Sequence, residues 1–285
     1  MKKVYKLTII LILSVVAFIV SYPVIFMFLG SFMGDGELRD YLGPAITDSG
    51  GYASFGIIPK QPNIWSYIKL LFDRPEFFVV FWNSIKVAAV SLLGQCLLSI
   101  MAAWGFAVYN FPFKKILFNL YIFFMLMPFQ VIMLSEYIVI LELNLLDTLW
   151  AIILPSIFST FSVFILHYFF RDIPTEILEA ARLDGASEFK IFLKIGVPYG
   201  KAGIASMLVL SFLEIWNLVE QPVSFIKDQT KWTLSIFFSE VTVDNLGISL
   251  ASAVVAFIPA LFVFGIGKDY LEGGIAAVTT IKQNK

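Results

Sequence analysis

Three groups of residues in this 285-residue chain have types and spacings suited to chemistry. Glu214, Asn217 and Gln221 recur at intervals of three and four, with Trp216 and Glu220 beside them, in a stretch that is otherwise apolar. On a helix these three share one face. At about 1.5 Å of rise per residue, Glu214 would lie roughly 20 Å beyond Lys201. A carboxylate so placed needs company: either it ties one helix to another, or it lines a water-filled path and offers acceptors to solute hydroxyls. Ser84, Ala88, Ser91, Gln95 and Ser99 form a second face, small and polar. It suits close helix packing as well as solute contact. The third group is a charged segment over 171–201, RDIPTEILEAARLDGASEFKIFLKIGVPYGK, whose chemistry is recognition and not bond making.

Covalent chemistry finds little support. The single histidine, His167, and single cysteine, Cys96, supply neither an HExxH pair nor a nucleophile with its base, and no disulfide can form within the chain. No GxxxxGK[ST] loop is present to hold nucleotide phosphates.

The elements that must position these groups follow from composition. Hydrophobic residues make up 59% of the chain and charged ones 14%, which places it in a bilayer. A net charge of −1 gives no field for nucleic acid, and none is expected as a partner. Uncharged stretches at 7–34, 87–113, 116–135, 148–170 and 245–267 each approach or exceed the roughly 20 residues a spanning helix needs. The apolar stretch 202–223, interrupted by Glu214 and Glu220, is a sixth span. The start, MKKVYK and then apolar residues, is expected to be an uncleaved first span, since no small-residue cleavage site stands out. Residues 35–76, rich in Gly, Pro and Asp, predict an irregular loop.

Basic residues set the orientation. With the N-terminus inside, thirteen of the twenty Lys and Arg fall on the cytoplasmic side and seven outside. Both termini are then cytoplasmic, and 171–201 becomes the largest internal loop. Within it Pro174 suits a first helical turn and Gly185 a left-handed helix end, predicting a short helix over 174–184. Ser187 can cap a second helix running to about Ile195, which Pro198 closes. The result is an elbow, with Ala180 and Ala181 leaving one flank of its first helix smooth enough for a partner to approach.

Glu179, Ala180, Ala181, three residues, Gly185, nine residues, and Ile195-Gly196-Val197-Pro198 resemble the EAA loop of ABC importer permeases, with only Val197 departing from a pattern that ends Ile-x-Leu-Pro. The strings NSIKVA at 83–88, LLDTLWAIILP at 145–155, FFRDIPTEILEAARLDGAS at 169–187 and WNLVEQP at 216–222 resemble its binding-protein-dependent carbohydrate-uptake branch. His167 stands where that branch often has Arg. The resemblance extends over Asn83 to Gly274, most of the chain.

The resemblance implies an all-α, six-span permease of the type I importer (MetI-like) fold in a bacterial cell membrane. Residues 1–76 would hold the first span and an extracytoplasmic loop, 77–270 the transport core, and 271–285 a cytoplasmic tail. The chain would pair with a second, homologous permease and two ATPase subunits, which bind the ATP and Mg, so it carries no cofactor. Glu179, Ala180, Ala181, Gly185, Ile195 and Pro198 would couple it to the ATPases. An extracytoplasmic binding protein would deliver a sugar or oligosaccharide and meet the outer loop from Ser224 to Asp244. Ser91, Gln95, Glu214, Asn217 and Gln221 are the candidate pathway residues. Import of a polyol phosphate or an amino acid would use the same architecture; an ion channel or a membrane-embedded enzyme would belong to another class.

Overall fold

The computed structural model describes residues 2–46, 51–54, 56–237 and 245–283, with side-chain surroundings from 5 to 271 within those ranges. Among the described residues the secondary structure is helical, without strands. Four helices or helix runs are long and apolar enough to cross a membrane: Tyr5–Gly30, Pro75–Val108, Trp150–Arg171 and Leu246–Leu271. Two further crossings are bent pairs of shorter helices, which brings the spans to six when each pair is taken as one.

One compact unit comprises residues 1–79 and 237–258. It contains α1 (Lys2–Gly30), α2 (Asp35–Ile46), α3 (Trp65–Ile68) and the first turns of α4 (Pro75–Val108). The insert predicted as irregular is therefore partly helical. Asp35 and Glu37 lie in the first turn of α2, where carboxylates meet the free N–H groups and the positive end of the helix dipole. Met33, Leu38 and Leu246 are buried together, with Phe26, Tyr41, Leu42 and Leu250 packed around them. That burial outweighs the Gly and Pro content that suggested a loop. The Asp35 carboxylate also accepts a 2.7 Å bond from Lys69.

The other unit comprises residues 80–236 and 259–285. It holds the remainder of α4, then α5 (Lys114–Met125), α6 (Phe129–Glu142), α7 (Trp150–Ile157), α8 (Thr160–Arg171), α9 (Thr175–Leu183), α10 (Glu188–Ile191), α11 (Val197–Tyr199), α12 (Lys201–Trp216), α13 (Glu220–Phe225), α14 (Leu234–Phe237, on which the unit closes) and the later turns of α15 (Leu246–Gln283). α8 packs between α5 and α12. The core gathers Ile100, Trp104, Val163, Leu166, Phe170 and Met207. Gly267 faces the Val209 side chain where a Cβ could not fit, and nearby Ser206 donates a 2.8 Å bond to the Tyr270 carbonyl, so α12 and α15 meet closely.

Four spans differ from the apolar runs. α4 begins at Pro75, twelve residues ahead of the run, because Lys86 ends an uncharged count without ending a helix. The third span breaks at Met127–Pro128 and turns by 105° between α5 and α6. Pro128 has no N–H to donate and bars its predecessor from helical geometry, and apolar counting is blind to both. The fourth pauses at Phe158, and Ser159 caps the restart by accepting from the Ser162 N–H at 3.2 Å. The fifth stops at Trp216, where Asn217 Nδ2 donates to the Leu213 carbonyl at 2.8 Å and takes over one of the helix's last acceptors.

Candidate functional site

Two places hold the residues singled out above, and both lie in the second unit. The first is the elbow. α9 begins after Pro174, whose carbonyl accepts from the Ile177 N–H at 3.2 Å. It ends in a Schellman turn: Gly185 N–H donates to Arg182 O and Ala186 N–H to Ala181 O, each at 3.0 Å, with Gly185 at φ +78°. Ser187 then caps α10 by accepting from the Lys190 N–H at 3.4 Å. The helical run does not close at Pro198. It continues through a π-turn over Phe192–Gly196 and through α11 to Tyr199, then bends by 69° into α12. The wider turn accommodates a proline that cannot donate to the preceding turn.

Apolar side chains anchor the elbow. Ile173, Leu178 and Ile191 are buried in the same core as Trp104 and Phe170. Trp104 packs edge-on against Phe170 at 5.5 Å and tilted against Phe192 at 5.6 Å. Gly196 leaves room for that indole, since a Cβ there would strike the ring. Ala181 and Ile195 are half-buried against this cluster. The smooth flank expected from the Ala180–Ala181 pair is thus only Ala180, which is exposed; Ala181 faces the protein.

Polar groups add a second tie. Arg182 Nε donates to Glu188 Oε1 at 2.7 Å across the glycine turn, and Tyr109 Oη, one residue past α4, donates to Glu188 Oε2 at 3.0 Å. The Arg182 hydrogen bond holds the Glu188 carboxyl below the usual carboxylate range. Neither partner was legible in the sequence, because 109 and 188 are far apart and 182 and 188 straddle a turn with no helical period. Glu179 and Pro198 are exposed, and Leu183 and Phe189 stand out at 89% and 69% exposure. Leu183 lies between the candidate spans and Phe189 near the start of the bent pair that leads into α12, and both are large apolar side chains that this chain leaves uncovered.

The second place is a cavity of about 360 Å³. Gln95 from α4, Glu136 from α6, Ser156 from α7, Glu214 from α12 and Glu220 and Gln221 from α13 line it, with Phe and Met side chains between them. Gln221 Nε2 donates to Glu136 at 3.1 Å, and Gln130 Nε2 to Glu220 at 2.6 Å. Because the fifth span stops at Asn217, the three residues predicted to share a face do not: Glu214 and Gln221 come to the cavity from separate helices, and Asn217 does not line it. Ser91 does not line it either. It is buried with Ser84, Ala88 and Ser99, so the small polar stripe of α4 packs within the protein except at Gln95, which also reaches the cavity. Ser84 accepts from the Leu234 N–H at 2.7 Å, and Gln95 reaches the Ser156 carbonyl and Ser162, which in turn meets Ser211 at 3.2 Å. Glu136 is not marked by the sequence, because it stands just past the uncharged run at 116–135 and reads as that run's end.

Between α6 and α7, Asp147 accepts from the backbone N–H groups of Lys227 and Asp228 at 3.0 and 2.9 Å, and Lys231 pairs with Asp147 and Asp228. These bonds lower the Asp147 carboxyl below its ordinary range. Of the segment from Ser224 to Asp244, positions 238–244 lie outside the described residues.

Residues 95–277 match the family model described as binding-protein-dependent transport system inner membrane component. The chain is 31% identical over 290 residues to Protein LplC of Bacillus subtilis (strain 168), covering 96% of this chain and 93% of the relative. It is 27% identical over 263 residues to the arabinooligosaccharides transport system permease protein AraQ of Halalkalibacterium halodurans, covering 91% of each. A solved bacterial ABC transporter involved in the import of the acidic polysaccharide alginate superposes with a TM-score of 0.80 at 18% identity, covering 94% of this chain and 96% of that one. At that identity the likeness is one of fold.

Proposed function

This chain belongs to the family of binding-protein-dependent transport system inner membrane components, and from that premise we propose that it is one of two permease halves moving a sugar or oligosaccharide inward on ATP hydrolysed by separate subunits. The observation that carries this reading is the elbow: a rigidly capped turn, anchored to the core by Trp104 and Phe170, that presents Leu183 and Phe189 outward. An anchored turn can transmit a push, whereas a loose loop would absorb it. Glu179, Ala180 and Pro198 lie on the exposed side and would meet an ATPase; Gly185 shapes the turn, and Ala181 and Ile195 hold it to the membrane core. ATP and Mg would bind the ATPases, and this chain would perform no covalent step. The thirteen-to-seven split of basic residues supports cytoplasmic termini and a cytoplasmic elbow. A saccharide solute is supported by the kinship with the arabinooligosaccharide permease.

Purification from its own cells in mild detergent tests the assignment. An ATPase bearing a GxxxxGK[ST] loop and a second permease related to this chain are expected to come with it. Recovery of the chain alone, or ion conductance by the isolated chain, would overturn it.

A further inference from the structure

The cavity carries information about the solute's charge. Three carboxylates line it, and among its described lining residues none is Lys, Arg or His. Glu214 accepts no hydrogen bond from a described residue, while Glu136 and Glu220 each receive one from an amide, which leaves acceptor capacity on all three. Gln221 is only 8% exposed and lines the same space, yet its Oε1 has no donor. A buried amide oxygen left without a donor is costly, and a donor arriving with a solute would relieve it. The two amide donors are engaged, since Gln95 Nε2 and Gln221 Nε2 each bond within the protein, and the hydroxyls of Ser159 and Thr160 add neutral groups and no cation to the wall. Phe124, Phe129, Phe158 and Phe161 supply flat apolar walls.

Resting on the permease reading above, we propose that this cavity is a solute passage that admits uncharged, hydroxyl-rich molecules and turns anionic ones away. Sugar hydroxyls donate to carboxylates in charge-assisted bonds, and the C–H faces of a pyranose or furanose lie against the phenyl rings. A uronate or a sugar phosphate brings a negative charge that meets three carboxylates here and no cation.

The test uses the purified full complex with Cys96→Ala and one reporter in the cavity wall, Thr160→Cys, or Phe158→Cys should the first fail to assemble. Cationic and anionic methanethiosulfonates of similar size are compared, each relative to its rate with a free thiol. The cationic reagent is expected to react at least about tenfold faster, the equivalent of ~1.4 kcal/mol. Adding Glu136→Gln, Glu214→Gln and Glu220→Gln should bring the ratio near one. Arabinotriose should slow labelling by an uncharged reagent, and trigalacturonate should not. A ratio near one before the Gln substitutions, or equal protection by both sugars or by neither, would overturn the proposal. Failure of the permease reading would show separately, as absence of an ATPase from the purified complex, and would leave the reagent ratio unchanged.

Discussion

Gly185→Val is expected to lower binding-protein-stimulated ATP hydrolysis and solute uptake together, by up to about tenfold, while the chain still inserts in the membrane. Gly185 sits at φ +78°, and an added Cβ would meet no atom within 4 Å, so the penalty comes from the backbone and not from a clash. A β-branched side chain resists left-handed geometry by ~1 to 2 kcal/mol, enough to shift the population of the native turn by about tenfold. The Schellman pair to Arg182 and Ala181 would open, and α10 would leave its place, carrying Ser187 and Phe189 with it. Gly185→Asn separates this cause from others, because Asn tolerates the left-handed region and should retain most of the activity. ATPase activity of the reconstituted complex with loaded binding protein is the measurement, and full stimulation of the Val variant would mean that the turn does not couple the subunits.

Trp104→Ala should have the largest effect on stability. The indole is 4% exposed, fills the space left by Gly196, and joins α4 to both α8 and the π-turn through Phe170 and Phe192. Removing a buried aromatic of this size costs ~3 to 5 kcal/mol, which for a chain of this length lowers the melting midpoint on the order of 10 °C. Trp104→Phe keeps an edge-on contact to Phe170 and should lose much less. The variant should also uncouple, hydrolysing ATP without importing solute, because the elbow then moves without moving α4. Thermal unfolding in detergent and the ratio of uptake to hydrolysis measure the two effects. An unchanged midpoint would place the anchor elsewhere.

The elbow was the most legible part of this chain because its signals are local. Gly185 takes the left-handed turn and Ser187 the cap that their chemistry suggests, whereas Pro174 stands as the extended residue before α9 and not within its first turn, so the helix runs over Thr175–Leu183. Span existence was legible too, since hydrocarbon demands length and apolarity whatever the neighbours are. Breaks within spans were not, because Pro128 and Asn217 redirect the chain without interrupting an uncharged run. The helix over 35–46 within the insert 35–76 is hidden from the sequence for a related reason: Leu38 is helical in company with Met33 and Leu246, more than two hundred positions away in the second case. Ala181 shows the remaining limit. Period alone cannot say which of two adjacent alanines faces the core, and only the packing of Leu178 and Ile191 fixes that choice.

Leu183 and its neighbours are expected to seat on an ATPase. A photoreactive benzoylphenylalanine placed at Leu183, 89% exposed and making no core contact, reports directly on what covers it. In cells producing the whole transporter, illumination is expected to join the chain to a subunit bearing a GxxxxGK[ST] loop, and the same group at Ile58 should never capture that subunit. Capture of lipid alone at Leu183, or of the ATPase from Ile58, would mean that the elbow does not meet the ATPase.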